Sequence, residues 1–306
     1  MPTVRDCPRR RSPADAARRR AVRRAQLRRR RAALALVVAL VVVVVVSVAG
    51  LGGGGGRSSR ASDRVPELQA PPNSAMDRLA AGYRAVDRTL GYTPFIEAGT
   101  PRAHEVALTF DDGPSEFTPK ILALLQRERV PGTFFQVGEM AKEFPEYVRA
   151  VLAAGYPIGN HTQTHPAFGS ESASDQEAQI DAATANLRAA GAPPPRLFRP
   201  PGGSFDDATL RILKRLRMLM VMWTADTEDY TRPGEQAIVD RAVSQARPGG
   251  IVLMHDGGGD RSQTVAALPR VIARLRAKGF RLVTVPELVL DDPPPAAQRM
   301  PDGYVR

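Results

Sequence analysis

From residue 102 to residue 290 the chain alternates short apolar runs with longer amphipathic stretches. That alternation constrains the fold more than any other feature, because parallel strands need crossover connections and the usual crossover is a helix. Residues 106–110, 133–137, 157–159, 196–198, 218–223, 251–254 and 281–285 read as strands. Residues 119–129, 145–154, 175–190, 206–216, 235–246 and 264–278 read as helices. The pattern predicts a parallel α/β architecture, an open sheet or a barrel, with its active site at the C-terminal ends of the strands.

What precedes this region is different in kind. Residues 32–51 form an uncharged run of twenty, AALALVVALVVVVVVSVAGL. As a helix, at about 1.5 Å per residue, such a run spans roughly 30 Å, the hydrocarbon thickness of a bilayer. Residues 1–31 carry 13 Arg against Asp6 and Asp15, and so hold the entire excess of +11; the 30 basic and 30 acidic residues that follow balance. The charge therefore marks topology, with the N-terminus cytoplasmic and the rest outside, and it excludes nucleic acid as the expected partner. A cleaved signal peptide ending near Ser47-Val48-Ala49 is the competing reading, but both the charged arm and the apolar run are long for one. Cys7 is the only cysteine, which excludes an intrachain disulfide framework. The expected organisation is a basic cytoplasmic arm (1–31), a single-pass membrane anchor (32–51) and an extracytoplasmic linker (52–101) with a short helix at 76–90. A catalytic domain (102–290) and a disordered tail (291–306) follow.

Five polar clusters close predicted strands, and three of the four histidines fall inside them. Thr109-Phe110-Asp111-Asp112-Gly113-Pro114 ends a strand in adjacent carboxylates, which is costly unless a cation or a proton separates their roles. His161-Thr162-Gln163-Thr164-His165 places two imidazoles four residues apart, a spacing that suits metal ligation on a helix or in a loop. A carboxylate from Asp111-Asp112 would complete two His and one carboxylate with open positions, a catalytic donor set. Phe198-Arg199-Pro200-Pro201-Gly202-Gly203 ends a strand in an Arg, followed by glycines that let backbone N–H groups approach a ligand. The stretch Trp223 to Tyr230 is aromatic and acidic and contains the only Trp, while 251–256 ends in His255-Asp256. His104 precedes the first of these strands without a partner motif and reads as a surface residue.

These five motifs, in this order, resemble the polysaccharide deacetylase family, also called the NodB homology domain or carbohydrate esterase family 4. The resemblance covers roughly residues 102–290 and implies a distorted (β/α) barrel. It implies that Asp112, His161 and His165 hold one divalent ion, usually Zn²⁺, with Co²⁺, Mn²⁺ or Ni²⁺ as alternatives. By the same resemblance Asp111 is the general base, Arg199 orients it, His255 is the general acid and Asp229 orients that acid. Gly202 stands where the family donates an N–H to the oxyanion, and Leu253, Trp223 and Tyr230 stand as walls for the acetyl methyl. Two positions depart: the family often has an aromatic residue at Gly202 and Trp at Tyr230. The expected activity is removal of N-acetyl groups from an N-acetylglucosamine-containing envelope glycan such as peptidoglycan. The other readings are an O-acetyl polysaccharide esterase and a catalytically silent glycan-binding protein.

Overall fold

The computed structural model describes residues 73–305. The basic arm, the apolar run at 32–51 and the first part of the expected linker lie outside the described residues. Among the described residues no helix is long and apolar enough to cross a membrane.

Among the described residues nine strands form one sheet: β1 (Phe95–Ile96), β2 (Glu105–Gly113), β3 (Thr133–Gln136), β4 (Ile158–Asn160), β5 (Leu197–Phe198), β6 (Leu219–Val221), β7 (Ala225–Asp226), β8 (Gly250–His255) and β9 (Arg281–Val283). Their order is β1-β6-β5-β4-β3-β2-β8-β7, and every pairing is parallel. On β2, β3 pairs with the stretch from Thr109 to Gly113, whereas β9 pairs with Glu105 to Ala107. The helices are α1 (Asn73–Thr89), α2 (Thr118–Arg127), α3 (Gly138–Glu143), α4 (Pro145–Ala153), α5 (Ala173–Ala189), α6 (Asp207–Leu216), α7 (Glu235–Gln245), α8 (Ser262–Ala277) and α9 (Val285–Asp291).

The sheet curls into a half-barrel, and chain connectivity forces the curl. Strands β6 and β7 sit near opposite ends of the strand order, yet only Met222, Trp223 and Thr224 join them. Four Cα steps span at most about 14 Å. Met222 N–H donates to Ile96 of β1, and Thr224 N–H donates to Ile251 of β8, each within 3.0 Å. Trp223 is therefore the residue that crosses the opening.

Side-chain alternation along β2 sorts the core. Val106, Leu108 and Phe110 join the cluster of α2, α7 and α8, whereas Ala107 shares an inner cluster with Phe135, Ile251 and Leu197. Thr109 and Asp111 continue the inner set. Phe110 is fully buried, so truncating it to Ala costs about 3–5 kcal/mol. Local signals fix the helix starts. Asp206 and Thr209 form a capping box before α6, Thr284 and Glu287 form one before α9, and Ser172 caps α5.

Two expectations of the sequence are corrected. The stretch from 73 to 101 is not linker: α1 packs on α9, where a Cβ at Gly82 would come within 2.7 Å of Pro286, and β1 extends the sheet beside β6. Arg78 reinforces this packing with ion pairs to Glu287 and Asp291. The tail from 291 to 305 is not disordered. Asp292 is buried and accepts from the backbone N–H groups of Arg102 and Ala103, Gln298 donates to the Phe95 carbonyl, and Tyr304 bridges to Phe205. Composition pointed to disorder because the segment is rich in Pro and charge, while its partners lie far away in sequence.

Candidate active site

The chemistry-bearing residues gather at the C-terminal end of the half-barrel. On adjacent strands β2 and β8, Asp111 and His255 are register partners. Both belong to the inward-facing set, so a carboxylate and an imidazole stand side by side with no loop between them.

Asp112 follows in a left-handed backbone conformation (φ 68°), where the β2 pairing with β3 is irregular. That turn leaves Asp111 in the barrel and sends Asp112 toward the two histidines. The His161–His165 pair lies in a loop after β4 and not on a helix; Thr162 (φ 67°) and His165 (φ 52°) make the turns that bring the rings together. Their centroids are 5.1 Å apart. The Nε2 atoms of His161 and His165 stand 3.4 Å and 3.3 Å from the same oxygen, Oδ1 of Asp112. Three ligand atoms of this cluster lie within 4.8 Å of one another.

This geometry fits a divalent cation. The buried Oδ1 of Asp112 has no hydrogen-bond partner, a costly state for a carboxylate oxygen unless a positive charge meets it. His161 Nδ1–H donates to the Arg199 carbonyl at 2.7 Å, which leaves Nε2 as the lone-pair atom aimed at the cluster. Burial opposes a charged His161, but Asp111 and Asp112 outweigh it and raise its pKa. Burial and the neighbouring His161 hold the His165 pKa down. Burial also opposes ionisation of Asp112, yet the facing His161 and the other surrounding imidazoles keep its carboxyl well below the usual range. An anionic oxygen between two imidazole nitrogens is a donor set for Zn²⁺ and its first-row neighbours.

Arg199, fully buried after β5, holds Asp111 from the other side. Its Nη1 donates to Asp111 Oδ1 at 2.7 Å and to Thr109 Oγ1 at 2.8 Å, while Nε and Nη2 donate to the carbonyls of Val221 and Met222. The guanidinium lies 4.2 Å from the Phe135 ring centroid. The second oxygen of Asp111 is 3.7 Å from His161 Nε2. Asp111 is thus aimed at the cluster by a rigid cation.

His255 is held as tightly. Its Nδ1–H donates to Asp229 Oδ1 at 2.7 Å and its backbone N–H to Asp229 Oδ2 at 2.9 Å. Thr264 and Thr227 donate to the same carboxylate at 2.7 Å and 3.2 Å. Burial opposes the charged imidazole, but Asp229 prevails and pushes the His255 pKa up to about 9. In turn burial, which would raise the Asp229 pKa, is outweighed by His255, and that carboxyl stays low.

Gly202 has φ 57°, and no atom lies within 4 Å of where its Cβ would stand. Gly203 has no such room, since a Cβ there would meet Trp223 at 2.9 Å. Leu253 is buried on β8, and Tyr230 is 48% exposed with its ring edge-on to His255 at 5.3 Å. His104 lies outside the site, exposed and stacked on Phe280 at 4.3 Å.

Sequence reasoning missed two buried groups here. Asp256 is fully buried, accepts from Thr118 Oγ1, and has its pKa pushed up to about 7 by burial. Arg261 is buried beneath the glycine loop that leads to it from β8. The run Asp256-Gly-Gly-Gly-Asp-Arg261 was the available signal: three glycines after a histidine demand a close neighbour.

Residues 98–221 match the family model described as polysaccharide deacetylase. A peptidoglycan-N-acetylglucosamine deacetylase of Bacillus cereus is 40% identical over 188 residues, covering 60% of this chain and 87% of that protein. A chitooligosaccharide deacetylase of Sinorhizobium fredii is 37% identical over 212 residues, covering 65% of this chain and 99% of its own. Among solved structures, a carbohydrate esterase family 4 pseudoenzyme from Bacillus anthracis is similar with a TM-score of 0.61 at 33% identity, covering 64% of this chain and 69% of that one.

Proposed function

The chain belongs to the polysaccharide deacetylase family, carbohydrate esterase family 4, and on that premise we propose a membrane-anchored, metal-dependent enzyme that removes N-acetyl groups from an envelope glycan, with peptidoglycan as the nearest substrate. One observation carries the reading. A cation-demanding triad, an Arg-held carboxylate and an Asp-held imidazole converge at one end of the half-barrel.

Asp112, His161 and His165 would hold the ion. When bound, it supplies a Lewis acid that makes water more acidic and draws charge from the acetyl carbonyl. Asp111, fixed by Arg199, accepts the proton of the attacking water as the C–O bond forms. The Gly202 N–H donates to the developing oxyanion. His255 then delivers its proton to the nitrogen as the C–N bond breaks, and the products are acetate and a free amino sugar. Asp229 keeps that proton on the imidazole until it is needed. Leu253, Trp223 and Tyr230 would wall the acetyl methyl. The apolar run at 32–51 is the proposed anchor, which places the catalytic unit outside the membrane on the wall side.

The likeness to a pseudoenzyme makes the silent reading a specific alternative. Against it stands the complete set of base, acid and ligands in this chain. Acetate release by the purified chain from N-acetylglucosamine oligomers, compared with O-acetylated xylan, tests the proposal. Release from the first supports it, release from xylan alone favours the esterase, and release from neither favours a binding protein.

A further inference from the structure

Arg261 is 4% exposed, and it directs its donors at main-chain carbonyls. Nε donates to Gly257 O at 2.6 Å, Nη2 to Gly258 O at 2.9 Å, and Nη1 to Asp260 O at 3.3 Å and Tyr230 O at 3.4 Å. A buried guanidinium is expensive unless its hydrogen bonds are satisfied, so a loop built around one is a rigid loop. What the loop touches gives that rigidity its meaning. A Cβ at Gly257 would stand 2.0 Å from the Asp112 carbonyl oxygen, and one at Gly258 would stand 2.4 Å from Asp112 Oδ2. Two glycines thus press directly on the residue whose left-handed backbone aims a carboxylate at His161 and His165.

The same segment reaches the other half of the site. Asp256 N–H donates to the Asp111 carbonyl at 3.0 Å. Thr264, in the first turn of the helix that Arg261 precedes, donates to Asp229. Tyr230, whose carbonyl Arg261 holds, is the neighbour of Asp229 in sequence and of His255 in space.

We propose that Arg261 is a positioning residue that clamps the 257–259 loop against Asp112 and so sets the carboxylate that completes the divalent-cation site. The proposal rests on the metal reading above, and the test separates the two. Co²⁺ is the probe, titrated into the purified full-length chain and followed by its d–d absorption and by direct binding. Arg261→Met should weaken Co²⁺ binding about 10–100-fold, the usual worth of a group that orients a ligand, and should alter the absorption bands. Arg261→Lys should not rescue it, because a single ammonium cannot reach several carbonyls in a planar fork. Gly258→Ala tests the other side of the contact, and its methyl should displace Asp112 and weaken Co²⁺ likewise.

Arg261→Lys and Gly258→Ala that fold and bind Co²⁺ as the wild type does, with unchanged spectra, would overturn the clamp and reduce Arg261 to a packing residue. A wild-type chain that bound no Co²⁺, or a His161→Ala variant that bound it equally well, would overturn the metal reading and the clamp with it.

Discussion

The two halves of the site are built on opposite electrostatic plans. Around His255 every polar atom of the orienting carboxylate has a donor: two from His255 itself, one from Thr264 and one from Thr227. Around Asp112 a buried oxygen faces two imidazole nitrogens at 3.3–3.4 Å with no hydrogen bond made. The first half is satisfied by the protein alone, which suits the proposed role of keeping a proton. The second leaves a buried carboxylate oxygen unsatisfied, and the proposed cation between its three donors would complete it. A satisfied network rigidifies, whereas an unsatisfied buried one costs free energy unless something is bound there. On this contrast we propose the first half as the proton store and the second as the ligand site.

The largest effects should come from splitting the adjacent carboxylates. Asp111→Asn should keep metal content and lower turnover by on the order of 10²–10⁴, the usual worth of one positioned base. Asp112→Asn should lower both. Equal metal loss in the two variants would break the distinction between a residue that binds and one that accepts a proton.

Next comes the proton store. His255→Asn should lower kcat/KM by a similar factor, on the order of 10²–10⁴, without touching metal content. With the His255 pKa near 9, the imidazole stays protonated through neutral pH, and the alkaline limb of the rate profile should fall near that value. Asp229→Asn removes the carboxylate that holds the pKa up, so the limb should move to lower pH, toward the ordinary histidine value of about 6.5. An unmoved limb would detach Asp229 from the role.

The smallest effect is on stability. Asp256 has a folded pKa of about 7, above its unfolded value of about 3.9. The folded state therefore binds this proton more tightly, and stability falls as pH rises from about 4 to 7, staying low above that. Asp256→Asn should raise stability by on the order of 1–3 kcal/mol at pH 8 and by little at pH 4, read by thermal unfolding at both. An equal change at both pH values would mean that the carboxyl is not buried neutral.

Much of this was legible in the sequence because its signals are local. The alternation of apolar and amphipathic runs located seven of the nine strands among the described residues. Strand β1 lies before the alternating region that starts at residue 102, and β7 is two residues within the polar stretch from Trp223 to Tyr230, so neither stands out as an apolar run. The Asp111-Asp112 and His161/His165 motifs announced themselves as chemistry-bearing types at strand ends. Their meeting on one oxygen was not readable, because it depends on the left-handed turns at Asp112, Thr162 and His165. Trp223 looked like a wall; that it also crosses the sheet opening follows from the curl alone. The glycine run before Arg261 signals a close approach but not its partners, because those are carbonyls, which every residue has.

The most direct test of the contrast is the metal content of two variants purified alongside the wild-type chain. The account predicts about one divalent ion per chain in the wild type, as the three-ligand catalytic pattern implies. It predicts the same content in His255→Asn and none in His161→Ala plus His165→Ala. Retention of the ion by the double variant, or its loss from His255→Asn, would contradict the account.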